Sequence, residues 1–324
     1  MMKGNIISRL RKRQILREIS CETDLSPRKF IMPIFVKEAG GIERSRWTGM
    51  DRIPMDKIVS YLSPLVDSGV RSFLLFGVPQ NKDHQGSSAY AKEGPVQNAV
   101  RAIKESFQSV AVFTDVCLCQ YTDHGHCGIF ELQSINLKKT LENLSKIAVS
   151  HAEAGADVVS PSAMADGQVC SIRQALDESG FEDVAIMSYS AKYASSLYCP
   201  FREVASSAPS FGDRSSYQID FRNRREAIAE VLADVEEGAD IVMVKPAITN
   251  LDVISALRRR LLCPMAAYQV SGECAMVKLY SECMGLPELS VEMEMIYSIS
   301  RAGAGIIITY YAPQAISHLK GELA

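Results

Sequence analysis

The chain reads as an α/β protein, a single (β/α)8 barrel of the TIM type with an extended N-terminal arm. Eight short apolar runs recur along it, amphipathic stretches separate them, and its 324 residues show no composition break that would divide it. The expected organisation is an arm over residues 1–25 and one catalytic barrel domain over 26–324.

The arm contains RLRKRQILRE, five basic residues ahead of Glu18. It lacks the apolar centre and small-residue cleavage site of a targeting peptide, so it reads as an arm that packs on a neighbouring subunit. A frayed, solvated terminus is the plain alternative. The strands expected next are FIMPIFV at 30–36, FLLFGV at 73–78, VAVFTDV at 110–116 and DVVSPS at 157–162. AIMSYS at 185–190, DIVMVKP at 240–246, MAAYQVS at 265–271 and GIIITYY at 305–311 complete the eight. Continuous runs rich in Val, Ile and Phe suit parallel strands buried on both faces. LKKTLENLSKIAVSHAEAG, FRNRREAIAEVLADVEEG and VEMEMIYSISRAG place apolar residues three and four apart and end on glycine, the pattern of helices packed outside the barrel. No G-x-G-x-x-G sits between a strand and a helix, which argues against a dinucleotide site.

Composition narrows the function classes. With 47% hydrophobic and 23% charged residues the chain is globular. A net charge of −3 argues against a general nucleic-acid binder. Nine scattered cysteines, an odd number, do not make a disulfide framework and point to a reducing, cytoplasmic setting. Apolar runs such as IVMV and IIIT are too short to span a bilayer.

Cys117, Cys119 and Cys127 form a C-x-C-x7-C cluster in TDVCLCQYTDHGHCGIF, directly after a strand. Three soft ligands leave a tetrahedron open, which suits a catalytic metal better than a structural one. Three reduced cysteines without metal are the alternative. Active sites of barrels gather at the C-terminal strand ends. Asp115 and Ser162 fall at the ends of strands three and four, and Lys192 follows strand five. Lys245, Ser271 and Tyr310 fall at the ends of strands six, seven and eight. Two lysines facing one barrel mouth are costly unless used. An ordinary lysine amine is only about 0.04% neutral at pH 7, and making it half neutral there requires roughly 4.6 kcal/mol of destabilisation of its charged form. Two close lysines supply part of that. Arg202 and Arg214, on the connection after strand five, add positive field or clamp a carboxylate; two solvated loop arginines are the bland reading.

SYSAKYASSLYCPFRE, IVMVKPA, AYQVSGE, ITYYAP and DVCLCQYTDHGHCGIF together resemble the porphobilinogen synthase (5-aminolevulinate dehydratase) family, and the likeness runs nearly end to end. The resemblance implies a lyase that condenses two 5-aminolevulinate molecules to porphobilinogen in tetrapyrrole (haem) synthesis. It implies that Lys245 forms a Schiff base with the substrate supplying the propionate side and that Lys192 holds the other. Zinc on Cys117, Cys119 and Cys127 is implied beside Lys192, with Asp115 and Ser162 on that substrate's polar groups and Arg202 and Arg214 on its carboxylate. Ser271 and Tyr310 are implied as hydrogen-bond partners of the carboxylate of the substrate on Lys245. Backbone capping is the alternative role for Ser162, Ser271 and Tyr310. Glu230 matches an allosteric magnesium ligand of some bacterial relatives, and a solvated helix-face carboxylate is the alternative. Family members assemble as octamers of arm-hugging dimers, and the basic arm fits.

The chain departs from the family pattern in places. His124 and His126, between the cysteines, are expected to shape the loop rather than ligate the metal. Ser216 stands where some relatives place a metal-binding cysteine, Ser215 where many have a basic residue, Ala165 where a second methionine is usual, and Cys199 where glycine is usual. The long segment from Tyr193 to Tyr217 is expected to act as a lid. A class I aldolase would explain one lysine but not the thiols, and a non-catalytic zinc protein would explain the thiols but not the lysines.

Overall fold

Eight parallel strands close on themselves in the computed structural model, which describes residues 7–131 and 134–322. They are β1 (Phe30–Lys37), β2 (Ser72–Val78), β3 (Ala111–Val116) and β4 (Val158–Pro161), then β5 (Ala185–Lys192), β6 (Ile241–Lys245), β7 (Met265–Tyr268) and β8 (Ile306–Ile308). Each pairs with its sequence neighbours, and β8 returns to β1 through Phe30↔Ile307 and Ile31↔Ile308. The result is the (β/α)8 barrel expected.

Alternation along each strand builds two apolar layers. Ile31, Phe35, Leu74, Phe76, Phe113, Met187, Tyr189, Met243 and Tyr268 fill the barrel interior. Met32, Ile34, Phe73, Leu75, Val112, Val242 and Val244 face outward and pack under the helices. The helices expected from periodicity form as Leu137–Glu153, Arg225–Glu236 and Glu288–Ala302. Gly155, Gly238 and Gly303, just beyond them, take positive φ and stop them before the next strand. Among the described residues no helix is long and apolar enough to cross a membrane.

Strand limits differ from the sequence expectation where side chains compete with the sheet. The run ending at Ser271 stops pairing at Tyr268, because Glu273 takes the Val270 N–H and turns the chain into the helix Ser271–Met284. Ser271 therefore begins a helix rather than ending a strand. Likewise β8 ends at Ile308, and Tyr310 lies beyond it. In contrast β5 runs on to Lys192, so that lysine is the strand's last residue.

The expected lid is not a plain loop. It contains the short helix Cys199–Val204 preceded by a helical turn at Ser196–Tyr198. Two smaller features lie outside the expected pattern: Arg52–Pro54 adds beside β1, and Phe130–Glu131 pairs with Ser134–Ile135 as a hairpin after the cysteines. In the arm, Gln14–Ile19 is a short helix that buries none of its residues.

Candidate active site

The two lysines are brought together by a register irregularity. Ser188 pairs with Val242, but Ala191 pairs with Val244 and Lys192 with Lys245. β5 thus spends one more residue than β6 over this span, a bulge. Met187 and Tyr189 point inward, and without the extra residue Ala191 would continue that phase. Instead Ala191 packs in the outer layer, and Lys192 points into the barrel beside Lys245, the next inward position after Met243.

Both lysines are buried, at 5% and 6% exposure. The Lys245 ammonium sits 4.0 Å from the Tyr268 ring centroid, 4.9 Å from Tyr189, 5.2 Å from Phe201 and 5.3 Å from Tyr198. Burial, and then the charge of Lys192, pushes its pKa down to about 7. Lys192 Nζ donates to the Ser162 backbone carbonyl at 2.5 Å and lies 5.5 Å from the Tyr189 centroid. The contact to Lys192 is thus made by the backbone of Ser162 rather than its hydroxyl.

Asp115 is the inward position after Phe113 on β3. Gln120 Nε2 donates to its Oδ2 at 3.1 Å, while Oδ1 is buried with no partner. Burial raises the carboxyl above its ordinary range, against the pull of Lys192.

The three cysteine sulfurs lie within 4.8 Å of one another, all buried. Hydrogen bonds from Cys117 and Cys119, and then Arg214 and Lys192, hold Cys127 well below the usual thiol range. Of the two histidines within the cluster, His126 is engaged at both ring nitrogens. His126 Nε2 meets Phe211 O and its Nδ1 meets Tyr217 Oη, each at 3.0 Å. His124 Nδ1 accepts the His126 N–H at 3.1 Å. His84, Asp123 and His124 also approach one another, and with Nδ1 accepting that bond the neutral His124 ring carries its proton on Nε2. Among the described residues no fourth cysteine, histidine or carboxylate joins the three sulfurs, and this soft set fits zinc with an open position.

Arg202 and Arg214 reach one cavity of about 630 Å³ with Ser195, Asp213 and Gln218. Arg214 Nη2 donates to Gly125 O at 2.9 Å and Ser207 O at 2.5 Å. Burial, and then Arg214, weakens the hold of Arg202 on its proton. Two neighbouring guanidiniums are best relieved by an anion. The sequence pattern does not single out Gln218, yet its amide is buried with neither the oxygen nor the nitrogen partnered. A glutamine beside known arginines carries no periodicity or spacing signal; its unmet hydrogen bonds are visible only in three dimensions.

Ser271 Oγ accepts the Phe201 N–H at 3.0 Å and donates to Leu197 O at 3.2 Å, seating the lid. Tyr310 Oη lies 3.1 Å from the hydroxyl of Tyr268, whose ring centroid is 4.0 Å from the Lys245 ammonium. Glu230, on Arg225–Glu236, lines a cavity of about 350 Å³ with Asp166, Gln168 and Asp234 and another of about 340 Å³ with Cys127 and Gln218. Burial, then Asp166 and Asp234, raises its pKa.

A closed parallel barrel whose mouth gathers paired buried lysines and clustered thiols, with paired arginines on the connection after β5, has the make-up of a barrel enzyme's active site. Residues 5–318 match the family described as Delta-aminolevulinic acid dehydratase. The chain is 49% identical over 315 residues to the delta-aminolevulinic acid dehydratase of Methanothermus sociabilis, covering 96% of this chain and 97% of that one. With the enzyme of the same name from Methanothermobacter thermautotrophicus it shares 51% identity over 312 residues, 95% of each. The crystal structure of the Toxoplasma gondii delta-aminolevulinic acid dehydratase (porphobilinogen synthase), in complex with the reaction product porphobilinogen, superposes with a TM-score of 0.93 at 37% identity, covering 96% of this chain and 90% of that one. The chain belongs to the delta-aminolevulinic acid dehydratase family, lyases of tetrapyrrole biosynthesis.

Proposed function

We propose that this enzyme joins two molecules of 5-aminolevulinate into porphobilinogen with loss of two waters, using Lys245 and Lys192 as Schiff-base residues. The observation that carries the reading is the pairing of the two lysines across the β5 bulge, with the Lys245 pKa pushed down to about 7. Near neutral pH about half of that amine is unprotonated and nucleophilic. It adds to the ketone carbon of one substrate, water leaves, and the resulting iminium withdraws electrons from the neighbouring carbon. Lys192 does the same for the second substrate. Holding both on adjacent strands supplies proximity.

The remaining residues hold charge and protons. Arg202 and Arg214, with Gln218, bind the carboxylate of the substrate on Lys192; Ser271 and Tyr310 bind that of the substrate on Lys245. Asp115, with its free Oδ1 and raised pKa, takes a proton from the substrate beside it. Ser162 positions Lys192. Cys117, Cys119 and Cys127 would hold zinc, which when bound supplies Lewis acidity next to the second substrate. Glu230, with Asp166 and Asp234, is the proposed site of a regulatory magnesium ion. The lid excludes water while the bonds form.

Borohydride trapping with 5-aminolevulinate on zinc-loaded protein, followed by peptide mapping and a colorimetric pyrrole assay, tests the proposal. Adducts on Lys245 and Lys192 together with pyrrole product are expected. Folded, zinc-loaded protein that gives neither would refute it. One labelled lysine without pyrrole would favour aldolase-like chemistry.

A further inference from the structure

Glu273 is a wholly buried carboxyl on the first turn of Ser271–Met284, and no step of the proposed reaction uses it. Its Oε2 accepts the Val270 N–H at 2.6 Å, and its Oε1 accepts the Ile248 N–H at 2.7 Å. Ile248 lies three residues beyond Lys245, in the turn that leaves β6. One carboxylate therefore ties the end of the Lys245 strand to the start of the helix that follows β7.

The two residues before Glu273 seat the lid on that same point. Ser271 bonds Phe201 and Leu197 as described. At Gly272 a Cβ would stand 2.5 Å from Leu197 O, so only glycine allows the lid backbone to settle there. The lid in turn reaches back to the lysine strand, where Tyr193 N–H donates to Lys245 O at 2.9 Å and Tyr198 Oη donates to the same oxygen at 3.2 Å. The turn after β6, the helix start and the lid thus form one closed ring of contacts around Lys245, and the Glu273 carboxyl joins the first two.

The chemistry of the group explains why a carboxylate is needed despite the cost of burying one. Two oxygens accept two N–H groups at once. A glutamine of nearly the same shape offers one oxygen and would turn an N–H₂ donor against the other N–H. Lys192 is held differently, by the Ser162 carbonyl at the end of β4.

We infer that Glu273 is a positioning residue for Lys245, locking the turn after β6 against the lid seat so that the amine meets its substrate carbonyl in a fixed direction. This rests on the Schiff-base reading above. It makes the two lysines separable, since loss of Glu273 should loosen one and leave the other.

The test is single-turnover borohydride trapping with 5-aminolevulinate, resolved by peptide, on the unaltered enzyme and on Glu273→Gln. Labelling of Lys245 should slow about tenfold or more while labelling of Lys192 changes less than about twofold. Lys192 labelling also reports that the variant is folded. Should Glu273→Gln fail to fold, Glu273→Asp, with both acceptor oxygens on a shorter stem, takes the same test with the same selective slowing expected. Equal slowing at both lysines, or no slowing at either, overturns the inference. Absence of a Lys245 adduct in the unaltered enzyme overturns the Schiff-base reading and this inference with it.

Discussion

Lys245 shows how competing forces set one residue's chemistry. Four aromatic rings within 5.3 Å would favour the charged ammonium through cation–π attraction. Burial and the neighbouring Lys192 charge outweigh them, and the pKa falls to about 7. Because the neutral amine is the nucleophile, labelling of Lys245 should fall about tenfold for each pH unit below that value and level off above it. Lys192→Met removes the second-largest cause of the depression, so the midpoint of the Lys245 labelling profile should move to higher pH. A midpoint that stays in place would show that burial alone sets it.

Much at this scale was legible in the sequence, because lysines and clustered cysteines at strand ends, and arginines on a long connection, are chemically conspicuous. Gln218 was not, since nothing in a linear string marks an amide whose hydrogen bonds are unmet. Nor was the part played by Ser162, whose backbone carbonyl, not its hydroxyl, meets Lys192.

Among the elements, the lid best shows how distant segments cooperate. The last turn of its helix Cys199–Val204 leaves carbonyls without intrahelical partners. Arg52, from the short strand beside β1, supplies them: Nε donates to Val204 O at 2.6 Å and Nη2 to Glu203 O at 2.9 Å, with a further 2.9 Å bond to Ser206 Oγ. Lys82 adds a bond to Ser206 O from the loop after β2. Charged donors of this kind contribute about 1.5–3 kcal/mol each, so Arg52→Ala should raise KM roughly tenfold or more and speed limited proteolysis within 193–217. If both stay unchanged, Arg52 does not hold the lid closed.

The length of this connection and its arginines led to the expectation of a lid, but its helix was missed because a six-residue helix carries too little periodicity to detect. Ser271 was misplaced for a related reason. The expected strand ran past Tyr268 to Ser271, whereas Glu273 accepts the Val270 N–H and the chain turns into a helix there.

At the scale of the molecule, the arm is one of the parts that leave apolar side chains exposed among the described residues. Leu10, Ile15 and Ile19 are 52%, 57% and 81% exposed, and Gln14–Ile19 buries nothing. We propose that it packs on a neighbouring subunit, within an octamer of arm-exchanged dimers. A chain beginning after Cys21 should therefore lose assembly size in analytical ultracentrifugation while keeping a folded barrel. An unchanged sedimentation coefficient per mass would count against arm-mediated assembly.

The sequence by itself determined the barrel and the chemical inventory of its mouth, because strand burial, helix periodicity and glycine stops are local properties, and because the reactive residue types fall at predictable strand ends. Only the tertiary structure decided that Lys192 and Lys245 face each other, since a one-residue bulge sets the direction of Lys192 and depends on how β5 pairs with β6. It also decided the depressed Lys245 pKa and the twofold grip of Glu273, for these depend on what surrounds a group after the chain has closed on itself, and that information is spread over segments far apart in sequence.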